Sequence, residues 1–282
     1  TRTENNGEAI LPDIAATILA KIEEKKIDKA EVAGVGIGVP GPVEETGEIP
    51  CAVNLHWGRK NIEKELGDLT GLAVKAGNDA NVAALGEMWK GGGQGAKNLI
   101  LVTLGTGVGG GIIVNEKIVT GAHGAGGEIG HAFVNPAETK ACNCGNKGCL
   151  EQYASATGIA RLAKEALESE TEDSVLRTVK NISAKSVFDA YKEGDVLAGK
   201  IVDKFAAYLG NALAVFACVS DPDVFVIGGG VSKAGQVLID AVEKYYKAHA
   251  FTASKETPIK LATLGNDAGI YGAAKLILSK DN

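Results

Sequence analysis

The sequence predicts an α/β protein with mixed sheets. Strand-like apolar runs alternate with segments of helical period along the whole chain, several strands open directly into glycine clusters, and no low-complexity linker interrupts them. At 282 residues the chain is long enough for one large or two ordinary domains, and its 45% hydrophobic content can fill a buried core.

The first residues, Thr1-Arg2-Thr3-Glu4, are polar and lead at once into a helix. From Leu11 onward Ile14, Ala15, Ile18, Leu19 and Ile22 share one helical face, and the run closes in the lysine-rich stretch 21–26. Residues 32–39 set Val35, Ile37 and Val39 against Gly34, Gly36 and Gly38, a period of two that predicts a strand with a close neighbour on its glycine face. Pro40-Gly41-Pro42 ends it in a turn. A polar loop with Asn54, His56 and Trp57 follows, then a short helix near 61–66; His56 reads as a surface loop residue. The strand 72–76 delivers the chain into Gly77-Asn78-Asp79-Ala80-Asn81 and a helix through Trp89. Asp79 at that junction either caps the helix amides or presents a carboxylate at the rim of a sheet, within reach of a ligand hydroxyl.

Residues 98–104 form an apolar strand that runs into Gly105-Thr106-Gly107-Val108-Gly109-Gly110-Gly111. The letters satisfy the dinucleotide fingerprint G-x-G-x-x-G, but that pattern requires a following helix. Residues 112–119 read instead as two short strands about an Asn115-Glu116 turn. Strand, glycine turn, strand is a hairpin whose amides and Thr106 hydroxyl suit phosphate oxygens. Residues 121–127 are glycine-rich again and carry His123. Helices are expected over 152–167, 184–193 and 196–219, the last interrupted only by Gly199 and Gly210. The strand 223–227 opens into Gly228-Gly229-Gly230-Val231-Ser232, followed by a helix to about His249, an arrangement that suits a nucleotide over a helix N-terminus. A strand over 258–264 and a helix over 268–278 complete the chain.

The chemistry concentrates between Gly126 and Gln152. His131, Cys142, Cys144 and Cys149 supply one imidazole and three thiols, a donor set that suits a closed, structural tetrahedral zinc site. The alternatives are a disulfide or free buried thiols; a Cys142–Cys144 bridge would close a cramped ring, and three cysteines leave one over. Metal at His131 would hold Glu128 and Glu151 near the clip, two carboxylates and an imidazole suited to hydroxyl groups.

The net charge of −6 disfavours a nucleic-acid surface. No apolar run of about 18 residues and no basic-then-apolar start are evident, so neither a membrane span nor a signal peptide is expected. A cytoplasmic address follows, and there five cysteines read as metal ligands before disulfides.

Asn78-Asp79, the glycine cluster 105–111, Glu128-Ile129-Gly130-His131 and the run Cys142-Asn-Cys-Gly-Asn-Lys-Gly-Cys149-Leu-Glu151 together resemble the ROK family of sugar kinases and sugar-responsive repressors, most closely its bacterial glucokinases. The resemblance runs from Val32 to the end. It implies the actin-like, hexokinase-type (ribonuclease H-like) ATPase fold, two lobes around a cleft, usually in a homodimer. The lobes expected are 1–79 plus 268–282 for the smaller and 80–267, with the zinc clip, for the larger. It also implies ATP-dependent phosphorylation of the glucose 6-hydroxyl with Mg2+, the entry to glycolysis. On that resemblance Asp79 is the general base, and Asn78, Glu128, His131 and Glu151 bind ring hydroxyls. Gly105, Thr106, Gly107, Gly109, Gly110 and Gly111 form a phosphate loop, and Gly228, Gly229 and Gly230 contact adenosine.

Members of the family begin with strands carrying a D-x-G-G-T phosphate loop, and this sequence holds no such motif. A chain that begins at Thr1 is therefore expected to be poorly active and to expose an apolar sheet edge. The competing readings are a kinase for another hexose such as N-acetylmannosamine, fructose or allose, a non-catalytic sugar-sensing repressor, and a nicotinamide dehydrogenase. Asp79 and the glycine hairpin favour catalysis over sensing, and the strands after Gly111 disfavour the dehydrogenase.

Overall fold

The computed structural model describes residues 4–50, 52 and 55–279. Thr1, Arg2 and Thr3 of the expected helix entry, Cys51, and Asn54 of the polar loop lie outside the described residues. The first half of the chain comprises α1 (Glu4–Gly7), α2 (Ile10–Glu24), β1 (Val35–Val39), β2 (Glu48–Ile49), β3 (Lys60–Asn61), α3 (Ile62–Thr70), β4 (Val74–Asn78), α4 (Asp79–Lys90), β5 (Leu99–Leu104), β6 (Val108–Val114) and β7 (Lys117–Ile118). The second comprises α5 (Glu151–Ala154), α6 (Ala156–Ser169), α7 (Ala184–Lys192), α8 (Val196–Ser220), β8 (Val224–Gly228), α9 (Gln236–His249), β9 (Ile259–Leu261) and α10 (Ala268–Leu278).

Besides a short antiparallel pairing of β2 with β3, two sheets organise these elements. β1 and β4 pair in parallel, Val35 opposite Val74 through Val39 opposite Asn78. The larger sheet has the order β7-β6-β5-β8-β9, antiparallel on the β7–β6–β5 side and parallel from β5 through β8 to β9. Helices α5 to α9 cover one face of it around a core that includes Phe205, Phe225 and Tyr246, all fully buried. Burying an aromatic or branched side chain of this size stabilises by about 1.5–3 kcal/mol. Helix α4 covers the other face, with Val82, Leu85 and Met88 packed on Leu99, Leu101 and Val226, and Leu276 of α10 joins that cluster. α10 also reaches β1: a Cβ at Gly36 would lie 1.8 Å from the Ala273 carbonyl oxygen, so the glycine face of that strand does carry the close neighbour its pattern predicts. Among the described residues β1 is paired only with β4, and beside it runs an apolar groove of about 770 Å³ lined by Ile18, Ile22, Val35, Ile37, Ile270 and Ile277.

Four local expectations need correction. α1 is a kinked turn, since Asn5 and Asn6 adopt left-handed backbone angles. Gly109, Gly110 and Gly111 lie inside β6, opposite Thr103, Val102 and Leu101, because α4 crosses that strand closely: a Cβ on Gly111 would sit 2.6 Å from the Ala84 Cβ. The helix expected over 152–167 breaks at buried Ser155, whose hydroxyl caps α6 through the Gly158 N–H. A 3-10 turn over Gly230–Ala234 separates the β8 glycines from α9. Helix α8 is long and apolar enough to cross a membrane by length and composition, yet more than half of its apolar stretch is buried in this fold, where it packs as the core helix expected over 196–219.

Candidate active site

Asn78 ends β4 and Asp79 begins α4. Both could cap the helix, and Asn78 is the residue in the N-cap position: its Oδ1 accepts from the Ala80 N–H at 3.0 Å and the Asn81 N–H at 3.2 Å. Its Nδ2 donates to the Gly41 carbonyl at 3.0 Å, tying the helix start to the Pro40–Pro42 turn. Asp79 is exposed, and one of its carboxylate oxygens accepts its neighbour Ala80 N–H at 2.8 Å.

The same first turn of α4 meets the loop that leads into the clip. Asn81 Nδ2 donates to the Gly126 carbonyl at 3.3 Å, two residues before Glu128. Glu128 occupies the N-cap position of a 3-10 turn, Ile129–His131, and its carboxylate lies 3.9 Å from His131 Nε2. His131 thus turns its two ring nitrogens to different partners, because Nδ1 faces the Cys142 sulfur at 3.8 Å.

His131, Cys142, Cys144 and Cys149 bring their four ligand atoms within 4.8 Å of one another. The Cys144 and Cys149 sulfurs stand 3.7 Å apart, matching the edge of about 3.8 Å that tetrahedral zinc with bonds of about 2.3 Å requires. Burial pushes the Cys149 thiol up to about 12, while the Asn146 N–H draws the exposed Cys144 thiol down. Three thiols and an imidazole crowded this way fit a soft cation. The loop that carries them is braced from behind: Gln152 Oε1 accepts the Gly148 and Cys149 N–H groups, and its Nε2 donates to the Lys140 carbonyl.

Glu151 begins α5 beside the clip, with Oε1 3.6 Å from the Cys142 sulfur. Its other oxygen accepts the Val108 N–H at 3.0 Å, so the carboxylate reaches the tip of the β5–β6 hairpin. That tip also receives the Ala156 N–H on the Gly105 carbonyl and the Thr157 hydroxyl on the Thr106 carbonyl. Across the tip, Gly229 comes so close that a Cβ would lie 2.6 Å from the Leu104 backbone. The glycine clusters 105–107 and 228–230, far apart in sequence, are therefore neighbours. Next to Gly230 opens a cavity of about 340 Å³, walled by Ala156, Ser183, Phe188, Lys192 and Lys233. These wall residues carried no sequence signal, since they come from ordinary helical positions. His56 and His123 are exposed loop residues, with His56 in the left-handed backbone region.

The ROK family model matches residues 1–280. The chain belongs to the ROK family. This ROK chain is 43% identical over 287 aligned residues to a glucokinase of Halalkalibacterium halodurans, covering all of the chain and 87% of that protein. It is 36% identical to a glucokinase of Thermotoga maritima, covering 98% of the chain and 87% of that protein. Among solved structures, a ROK family glucokinase from Streptomyces griseus in complex with glucose and AMPPNP matches with a TM-score of 0.75 at 34% identity, over 98% of the chain and 89% of that one. The fold is accordingly that of the actin-like sugar kinases.

Proposed function

We propose that this protein is a glucokinase that transfers the ATP γ-phosphoryl group to the 6-hydroxyl of D-glucose. The observation that carries the reading is the meeting at β6 of three sets of groups. Helix α4, headed by Asp79, packs on one side of that strand; the Gly127–His131 turn packs against it at Gly110; and Glu151 reaches its first residue, Val108. The relatives in the family that are named glucokinases support the choice of sugar.

Phosphoryl transfer asks a protein mainly to position two reactants and balance charge. In this reading Asn78, Glu128, His131 and Glu151 hold the ring hydroxyls, each hydroxyl donating to or accepting from a fixed partner. Discrimination follows because a missing hydroxyl leaves one of these groups without a partner once bound sugar shields it from water, which costs about 1–3 kcal/mol. Asp79 accepts the 6-hydroxyl proton as the oxygen attacks phosphorus, a general-base task worth about 10²- to 10⁴-fold in rate. Gly105, Thr106 and Gly107 at the hairpin tip cradle the phosphates, since Gly109, Gly110 and Gly111 are taken up in β6, and Gly228 to Gly230 with the adjoining cavity take the nucleoside. ATP would arrive with Mg2+, which neutralises phosphate charge. His131, Cys142, Cys144 and Cys149 would hold zinc, which supplies rigidity to the clip. The larger lobe is proposed to span 80–267 and the smaller 1–79 with 268–282, in a cytoplasmic homodimer.

The test is a coupled assay of hexose 6-phosphate formation by the protein across glucose, fructose, mannose, N-acetylmannosamine and allose. Glucose is expected to give the highest kcat/KM. Preference for another hexose overturns the choice of sugar, and sugar binding without turnover points to the sensing branch of the family.

A further inference from the structure

We propose that Glu151 couples the sugar site to the nucleotide site, acting as a positioning residue for the tip of the β5–β6 hairpin. This rests on the kinase reading above. Three hydrogen bonds tie that tip to the segment 151–157: Val108 N–H to Glu151 Oε2 at 3.0 Å, Ala156 N–H to the Gly105 carbonyl at 2.8 Å, and the Thr157 hydroxyl to the Thr106 carbonyl at 2.6 Å. The second joins two backbone groups, and the third runs from a short side chain at the start of α6. Only the first runs through a carboxylate that also faces the clip, with Oε1 3.6 Å from the Cys142 sulfur. An ionised acceptor makes a hydrogen bond roughly twice as strong as a neutral one.

The hairpin leaves room for this contact at one residue. A Cβ at Gly107 would lie 2.1 Å from Glu151 Oε2, so a side chain there would drive the carboxylate off the Val108 amide. Glu151 is half-buried and has two oxygens with separate duties. A sugar hydroxyl donated to the clip-side oxygen restricts the carboxylate and, through its other oxygen, the hairpin tip. Nucleotide then meets a cradle that is already ordered, and the entropy of fixing it is not lost a second time. Coupling of this kind is reciprocal, so nucleotide must tighten sugar by the same factor.

The experiment is calorimetric titration of the zinc-loaded protein with AMPPNP, with and without saturating glucose, and the reverse titration. Glucose is expected to tighten AMPPNP about tenfold, within the usual range for coupled sites. Gly107→Ala keeps the Glu151 carboxylate but displaces it from the tip; each ligand alone is expected to weaken, and the ratio of AMPPNP affinities with and without glucose is expected to fall to about one. Glu151→Gln is expected to lose the coupling too. Thr157→Val loosens the same tip without touching Glu151, and should weaken AMPPNP equally with and without glucose, which leaves the factor intact. A wild-type protein that binds both ligands independently overturns the coupling while leaving the kinase reading in place, as does a Gly107→Ala protein that retains the tenfold factor. A wild-type protein that binds glucose but no AMPPNP overturns the kinase reading itself.

Discussion

Asn78 caps the helix that Asp79 begins. With Asn78 Oδ1 on the Ala80 and Asn81 N–H groups and Nδ2 on the Gly41 carbonyl, stability of the helix start rests on the residue beside the proposed base. The base itself can therefore vary at small cost.

Replacing Asn78 by Ala is expected to destabilise the protein by about 1 kcal/mol, the usual loss for an N-cap, with a further part from the Gly41 contact. Asp79→Asn is expected to cost less than half as much. Urea denaturation of both variants checks the order; an Asp79→Asn protein as unstable as Asn78→Ala would contradict it.

Metal analysis is expected to find one zinc per chain. Cys144→Ser should lose the metal, lower Tm and raise the glucose KM about tenfold or more, because the same imidazole faces Cys142 through Nδ1 and Glu128 through Nε2. Since burial holds Cys149 as a thiol with a pKa of about 12, metal uptake must release protons, and apparent affinity should rise with pH. Full glucose affinity in a metal-free protein would contradict the clip.

Behind the clip, Glu138 contributes a pH-dependent share of stability. Burial alone would push its carboxyl up, but hydrogen bonds from the Tyr153 hydroxyl, the Lys140 N–H and the Arg161 guanidinium bring it down to about 2. A depressed folded-state value stabilises above the unfolded pKa of about 4.5, and that share is lost as pH falls from there toward about 2. Its upper bound is about 3 kcal/mol. Wild type and Glu138→Gln, compared by denaturation between pH 7 and pH 3, should differ by less at pH 3, with the gap cut by about half and closing fully only below about pH 2; a constant difference would contradict the assignment.

Glu87, 1% exposed on α4, accepts three backbone N–H groups, from Gly92 at 2.8 Å, Thr263 at 3.1 Å and Leu264 at 2.9 Å. It fastens the end of the helix that begins at Asp79 to the turn between β9 and α10. Glu87→Leu strands these donors and is expected to cost about 2 kcal/mol or more. A loss below about 0.5 kcal/mol by urea titration would show that water replaces the carboxylate.

Much of this architecture is legible in the residues. The hairpin reading of 98–119 survives because 112–119 lacks helical period, and α10 is found over the predicted span. His131 and the three cysteines converge as their chemistry suggests. What the sequence leaves open is decided by contacts between distant segments. Local pattern does not choose between Asn78 and Asp79 as cap, since either side chain can accept helix amides. Glycines 109–111 read as a turn until α4 lies across them, and the second contact of Glu151, to the Val108 N–H at 3.0 Å, has no mark in the local sequence. Phe188, Lys192 and Lys233 line the cavity beside Gly230 only because α7 packs against the turn after β8.

The most direct test of the kinase account is Asp79→Asn, with glucose binding measured by calorimetry and ATP-dependent glucose 6-phosphate formation measured on the same preparation. The account predicts glucose affinity within a few-fold of wild type and turnover reduced by about 10²- to 10⁴-fold. Turnover at the wild-type rate would remove Asp79 as the base and contradict the account.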